Sequence, residues 1–561
     1  MSSEKFVSNS VILYDEKRSD YRAGEEIRIK IPATSVAVLS PRNTFLRFRI
    51  EITNSIDEVY TNLPAILNSE IGGSALIRTL SIYSGDGTLL EQIDNYNLLA
   101  YIQSFYSTNE TERNTKALLE GATSTKNKAH NPFYEVIDDI AGVGAYTTLS
   151  RKVVELCIPL RLSGLLNPLN HNGSIPNIAL GGMEVRILLE QNVEKILQLT
   201  TGACGDGRND DKFMWDIENP CSRLGVGTII NDGDQNIELS LTGELQNHIW
   251  DTESDYTELD NMEAVATLEW VNKNTPLLVG QSLTFYDAIG DQRFETDAII
   301  ESITIGGVGL DRVVLIMNQP LVLAPIVSLP IGTGVAISVY PQKWGYTLSE
   351  CAMVCGVIKT DPNYISALAN KSRGSEGVSF DIMTYNNYMV NHNANVLKQS
   401  LYIPMNEARC YSILSIPENI GETYTIQGGN GMRPAVGEPS NYHYIIKNIR
   451  VPNRNVSLSR IRETDLAGGV VCYNEPVHSK ELEDALLNNS WGVATLDRVD
   501  KAFCIGRGLS RYGHTFNARD TVGEVRLNLE YTKQPNSLLW NNFVSHLRRI
   551  NVSSGGVVVQ Q

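Results

Sequence analysis

The sequence predicts a mostly-β protein made of two related β units, with a smaller β domain inserted in the first and helices confined to short connections. Three observations lead there. Alternation of apolar and polar residues with the two-residue period of strands runs through the chain, and helical windows are few and short. One strand motif also occurs twice, far apart: Glu184-Val185-Arg186-Ile187-Leu188-Leu189-Glu190 recurs as Glu524-Val525-Arg526-Leu527-Asn528-Leu529-Glu530, with five of seven positions identical.

Taken in order, Ile27-Arg28-Ile29-Lys30-Ile31 alternates apolar and basic residues, as a strand with one face in a core requires. Phe45 to Ile52 repeats the pattern after a Ser40-Pro41-Arg42-Asn43 turn. Leu80-Ser81-Ile82-Tyr83 runs into Ser84-Gly85-Asp86-Gly87, a hairpin connection, and resumes at Thr88-Leu89-Leu90. Helices are expected at Tyr96 to Phe105, Glu110 to Glu120, Pro362 to Lys371 and Lys480 to Asn488. A second ordered match pairs Ile77-Arg78-Thr79-Leu80-Ser81-Ile82 with Ile446-Lys447-Asn448-Ile449-Arg450-Val451, whereas Leu156 to Leu160 resembles Leu401 to Met405 out of order and is set aside. Between the units, a loop of Gly205-Asp206-Gly207-Arg208-Asn209-Asp210-Asp211 leads into short strands at Ser282 to Tyr286, Ala298 to Ile305 and Arg312 to Ile316, the spacing of a small barrel or sandwich. Tyr346 to Val354 then reads as the closing strand of the first unit, as Phe543 to Leu547 does in the second. On this reading residues 1–24 are an N-terminal arm and 25–205 the first unit, with its closing strand at about 343–360; 206–342 is the inserted small β domain, 361–375 a linker helix, and 376–561 the second unit and C-terminal tail.

The totals narrow the function. Among 561 residues, Lys+Arg 47 against Asp+Glu 64 leave a net charge of −17, which argues against a dedicated grip on nucleic acid, since displacing counterions from a polyanion takes positive charge. Eight cysteines, several inside apolar runs such as Leu156-Cys157-Ile158 and Phe503-Cys504-Ile505, read as buried free thiols of a reducing compartment. Six Asn-x-Ser/Thr sequons are what an Asn-rich chain produces by chance. The polar start Met1-Ser2-Ser3-Glu4-Lys5 lacks the apolar core of a signal peptide. The uncharged stretch Val313 to Gln342 is broken by Pro320, Pro325, Pro330, Gly332 and Gly334, so it reads as short strands and turns rather than a membrane span.

Catalytic signatures fail in turn. No Gly-x-Gly candidate carries the third glycine of a dinucleotide loop, no Gly-Lys-Ser/Thr exists for a P-loop, and Gly508 to Gly513 is one residue too long for a nucleophile elbow. The eight histidines are scattered. Cys351 and Cys355 would share one face of an apolar strand, and a packed core outweighs zinc there. Asp206, Asp210 and Asp211 suit a calcium ion, although a solvated acidic loop is the simpler reading. Trp250, Trp270 and Tyr286 are a sugar-stacking platform or, more simply, core of the small domain. The expected inventory is thus no catalytic, cofactor or metal residue.

Leu156-Cys157-Ile158-Pro159-Leu160-Arg161-Leu162-Ser163-Gly164-Leu165-Leu166, then Ile175-Pro176-Asn177, then Gly181-Gly182-Met183 and the Glu184 to Glu190 strand, together with the Leu80 to Tyr101 block, form an ordered pattern. It resembles the double jelly-roll major capsid proteins of the adenovirus and tectivirus lineage, most of all those of virophages and polinton-like viruses. The resemblance implies two consecutive eight-stranded jelly rolls side by side and a homotrimer whose six sandwiches make a pseudo-hexameric capsomer of an icosahedral double-stranded DNA virus. It implies a structural role rather than catalysis, assembly inside the host cell, and contact with neighbouring capsomers, penton and minor or cement proteins. It further places the Asn109 to Thr148 loop around the threefold axis and the 1–24 arm beneath the barrels. A carbohydrate- or receptor-binding spike or fibre protein is the competing reading, and a β-rich glycoside hydrolase the third.

Overall fold

A computed structural model of the chain describes residues 8–17, 20–35, 37–53, 65–68, 70–107, 119–122, 134–137, 147–150, 153–167, 174–175, 177–199, 223–229, 233–240, 281–286, 293–306, 312–322, 334–341, 345–419, 439–458, 460–462, 471–473, 476–489, 503–510, 515–519, 525–532, 535 and 537–560. Eight strands build the first unit: β1 (Ser8–Tyr14), β2 (Glu26–Ile31), β3 (Ala37–Thr53), β4 (Ile77–Ser84), β5 (Leu89–Asp94), β6 (Val153–Ile158), β7 (Met183–Leu189) and β8 (Gly345–Lys359). They pair antiparallel into two four-stranded sheets, in the orders β1-β8-β3-β6 and β2-β7-β4-β5. Eight more build the second: β9 (Val378–His392), β10 (Lys398–Tyr402), β11 (Cys410–Asn419), β12 (Pro439–Ile446), β13 (Ile449–Ser457), β14 (Ile505–Gly508), β15 (Val525–Tyr531) and β16 (Leu538–Ser553). Their sheets run β9-β16-β11-β14 and β10-β15-β12-β13, the first unit's order with every number raised by eight. Two facing sheets in this order make a jelly roll, and the chain contains two of them. A last strand, β17 (Gly556–Gln560), folds back on β16.

The two-residue period explains which side of each sheet is inside. Ile27, Ile29 and Ile31 on β2 and Val185, Ile187 and Leu189 on β7 are buried, while Arg28 and Lys30 point out, where Lys30 pairs with Glu16. In the second roll Val525, Leu527 and Leu529 take the places of Val185, Ile187 and Leu189, facing a core that includes Tyr442, Tyr444, Ile413 and Trp540. Each such side chain contributes about 1.5–3 kcal/mol by leaving water. The repeated Glu-Val-Arg motif is therefore the same strand in both rolls.

The second sequence match does not mark equivalent strands. Ile446 ends β12 and Ile449 begins β13; between them Lys447 and Asn448, at φ 51° and 61°, form a two-residue hairpin turn that needs positive φ at both positions. The counterpart of β4 is β12, because alternation of apolar and basic residues reads alike along a strand and across a tight turn. The set-aside pair does join unlike strands, β6 and the end of β10.

Two other expectations change. Ser8–Tyr14 is not part of an arm outside the roll but a strand paired with β8, from Ser8 opposite Ile358 to Tyr14 opposite Ala352, since β8 offers it a free edge. The turn expected at Ser40 to Asn43 is a bulge within β3: Val354 pairs with Phe45 and Gly356 with Ser40, leaving Pro41 to Thr44 opposite Cys355 alone. Thr44 holds that bulge by donating to the Ser40 carbonyl at 2.7 Å and accepting from the Gly356 amide at 3.2 Å.

Between β7 and β8, strands Arg223–Ile229, Gly334–Pro341, Gln281–Tyr286, Arg293–Gly306, Arg312–Met317 and Asn236–Ser240 form one six-stranded antiparallel sheet in that spatial order. Helix α1 (Tyr96–Ser107) follows β5, α2 (Pro362–Arg373) joins the rolls and α3 (Pro476–Asn488) follows β13. Asp361 caps α2 by accepting from the Asn363 amide at 2.9 Å, Pro362 opens it, and Lys371 and Arg373 occupy its last turn. Most of Glu110 to Glu120 lies outside the described residues. No described helix is long and apolar enough to cross a membrane.

Neighbouring positions on β10 test the register. Leu401→Ala, inside the second roll, is expected to lower stability by about 2–5 kcal/mol, and Ser400→Ala, on the outer face, by under about 0.5 kcal/mol, in urea unfolding. Equal losses would mean that the strand is shifted by one residue.

Candidate functional site: the seam between the two rolls

A buried surface beyond the two sheet interiors lies where the rolls meet. Ile382, Tyr385, Leu414, Ile416, Phe543, Ile550 and Val552, from the β9-β16-β11 sheet, belong to one continuous apolar cluster with the core of the first roll. The first roll meets that sheet with β5, the start of α1 and the Leu160–Leu166 loop. Helix α1 carries no charged residue and buries nine of its twelve, as a helix enclosed by protein must. Its Tyr106 hydroxyl meets the thiol of Cys504 in the second roll. Backbones approach closely here: a Cβ on Gly164 would sit 2.3 Å from the Met383 carbonyl oxygen. Gly164, in the Leu156 to Leu166 run, is thus one point where the first roll touches the second.

Charged groups are buried in the same seam. The Glu91 carboxylate accepts from the Ser163 hydroxyl and the Gly164 amide, both at 2.6 Å. Burial pushes its pKa up, against those hydrogen bonds and the nearby Arg548. Arg548 crosses the seam to donate to the Leu90 carbonyl at 2.9 Å and reaches Asn386 at 3.4 Å. On its other side is buried Glu407, which accepts from Asn386, Tyr388 and the Asn406 amide. A second chain of contacts runs from Asn95, which donates to Asn541 at 2.7 Å, through Asn541 to Glu418 at 2.6 Å, and on to Lys195 of the first roll at 2.7 Å. Both chains begin and end on different rolls or bridge them, so they fix how the sheets are oriented as well as that they touch.

Two histidines are enclosed in the second roll. His546 leaves Nε2, and His392 both ring nitrogens, without a hydrogen-bond partner, and the His392 ring packs edge-on against Tyr531. Burial lowers the pKa of both. For His546 the fall is to about 4, with Glu407 opposing it and Arg548 and Arg409 adding to it.

Cys351 and Cys355 are buried in the first core, where burial pushes each thiol up to about 12. Among the described residues no group of three His, Cys, Asp or Glu side chains is placed to hold a metal ion. Tyr286 ends a strand of the inserted sheet, whereas Asp206, Asp210, Asp211, Trp250 and Trp270 lie outside the described residues. Sequence reading missed Glu91, Glu407, Asn541 and Arg548. The available signal was polar residues inside apolar strands, as in Leu89-Leu90-Glu91-Gln92-Ile93 and Trp540-Asn541-Asn542-Phe543.

Gly164→Val forces a branched side chain against the Met383 carbonyl, so it should split the thermal unfolding of the chain into two calorimetric transitions; a single unshifted transition would contradict this packing. The acid response follows from His546. The unfolded chain binds a proton at that ring near pH 6.5 and the folded chain only near 4, so the stability it contributes is complete above 6.5 and declines as pH falls through this interval, by at most about 1.4 kcal/mol per unit. His546→Gln should therefore lose roughly 1–2 kcal/mol less than the parent between pH 7 and 5 in urea titrations. An unchanged slope would show that the native ring already carries its proton.

No protein-family model matches the chain, and no curated protein matches its sequence significantly. Solved structures similar to it include VP54 of PBCV-1 as fitted into a reconstruction of the virophage Sputnik, at 8% identity over 100% of this chain and 98% of that one, with a TM-score of 0.46. The Faustovirus major capsid protein is similar at 9% identity, 99% and 92% coverage and a TM-score of 0.46. The mavirus major capsid protein is similar at 9% identity, 98% and 90% coverage and a TM-score of 0.33. The fold assignment rests on the sheet order of this chain: it is a double jelly roll.

Proposed function

We propose that the chain is a major capsid protein, forming a homotrimeric, pseudo-hexameric capsomer that tiles the icosahedral shell of a double-stranded DNA virus. The observation that carries this reading is the same eight-strand order occurring twice, with the two rolls locked through a buried seam. A rigid pair of similar sandwiches supplies two of six nearly equivalent wedges, and three copies complete a ring by cyclic closure. Each roll closes most of its strand edges into paired sheets, which limits the unspecific edge-to-edge growth that would compete with a lattice. The net charge of −17 favours solubility before assembly and disfavours direct contact with nucleic acid. In this reading the protein resides in the virion shell, assembled in the host cell, and its partners are neighbouring capsomers, penton and minor or cement proteins. It works mechanically rather than as an enzyme.

Purified chain should scatter light as a particle of about 186 kDa, three copies of 62.1 kDa, and should pack into hexagonal arrays under the electron microscope. A stable monomer that binds glycans would support the spike or fibre reading and sink this one.

A further inference from the structure

One of the two polar chains across the seam holds an amine and a carboxamide on a single carboxylate. Asn541 lies opposite Met389 of β9 and Ile416 of β11, so Asn387 and Glu418, each two residues away on those strands, share its sheet face. There the Glu418 carboxylate accepts from the Lys195 amine at 2.7 Å with one oxygen and from the Asn541 side-chain amide at 2.6 Å with the other. The Asn541 carbonyl oxygen accepts from the side-chain amides of Asn95 at 2.7 Å and Asn387 at 3.0 Å. Asn541 is completely buried, and the side chains of Lys195 and Glu418 are only 22% and 16% exposed. Lys195 and Asn95 belong to the first roll, and Asn387, Glu418 and Asn541 to the second.

We propose that this cluster joins the two rolls covalently, by an isopeptide bond between Lys195 Nζ and Asn541 Cγ for which Glu418 is the acid–base group. An ion pair needs only the lysine and the carboxylate. The buried asparagine adds an electrophilic carbon whose oxygen is held by two N–H donors, the arrangement that stabilises a developing oxyanion. Its nitrogen is already hydrogen-bonded to the group that can protonate it. The step balances without a co-reactant. Glu418 takes one proton from the Lys195 ammonium, and the freed nitrogen lone pair forms the Nζ–Cγ bond. Glu418 delivers that proton to Nδ2, a second proton follows from Nζ by the same route, and the Cγ–Nδ2 bond breaks with its electron pair going to nitrogen. A secondary amide remains, an ammonium ion leaves, and Glu418 is again a carboxylate. Burial lowers the Lys195 pKa while Glu418 and Glu190 raise it, with the net shift upward, so proton transfer has to precede attack and the bond forms slowly after folding. Enclosure by the two rolls keeps water from hydrolysing Asn541 instead. The link would close the chain between positions 195 and 541 and fix one roll against the other, and it does not depend on the capsomer reading.

The test is the mass of the purified full-length chain, incubated in the folded state and then unfolded for measurement. The expected result is a chain lighter than its sequence by one ammonia, with a branched tryptic peptide that joins Lys195 to Asn541. Glu418→Gln offers similar hydrogen bonds but cannot carry the proton, and Lys195→Arg keeps a cation beside Glu418 but no nucleophilic amine. Both should show the full sequence mass and no branched peptide. Full mass in an incubated parent whose circular dichroism shows folded strands overturns the proposal and leaves Lys195 and Glu418 as a plain ion pair. So does ammonia lost within a single unbranched peptide, or a branched peptide that forms as readily in Glu418→Gln. If a variant fails to fold, the parent's mass and its branched peptide decide the matter without it.

Discussion

The β9-β16-β11 sheet carries Leu414 and Phe543 on one face and Ile382 and Ile550 on the other, and a sheet with apolar residues on both faces has only one stable place in water: between two layers of protein. The first roll and helix α3 together supply the second layer. Everything specific to this chain depends on that constraint. It leaves α1 without a charged residue, brings Gly164 onto the Met383 carbonyl, and requires the polar groups caught in the contact to find partners there.

Those polar groups act on geometry more than on stability. Burying Glu91, Glu407 and Arg548 costs desolvation that their mutual attraction and hydrogen bonds only partly offset, and apolar residues of similar volume would hold the rolls together at least as strongly. Apolar contact, however, tolerates sliding and rotation. An arginine that must meet the Leu90 carbonyl, and an asparagine that must meet Asn95 and Glu418 together, do not.

The duplicated connection between fifth and sixth strands shows how one topology serves two environments. In the first roll it holds α1, enclosed and uncharged. In the second it holds α3, which lays Leu482, Ala485 and Leu486 on the sheet while Lys480 pairs with Glu483 and Asp484 at the surface. Gly506 permits that approach, since a Cβ there would come within 2.8 Å of Ala485. Among the described residues of the first roll, Val153, Glu155 and Arg49 on the corresponding face stand exposed.

Local periodicity by itself determined strands such as β2, β4 and β8 and the helices α1, α2 and α3, because a two-residue or 3.6-residue repeat is a property of a few consecutive residues, and the recurring Glu-Val-Arg motif determined the two-unit plan. What periodicity could not separate was a strand from a strand-turn-strand at Ile446 to Val451, or a turn from a bulge at Pro41 to Thr44, since both differ only in what lies opposite. Only the tertiary structure decided that Ser8–Tyr14 pairs with β8, that Glu91 faces Arg548 across 457 positions of chain, and that Gly164 lies against the Met383 carbonyl. Such contacts form between residues remote in the chain, and no local pattern encodes which distant surface will be brought against them.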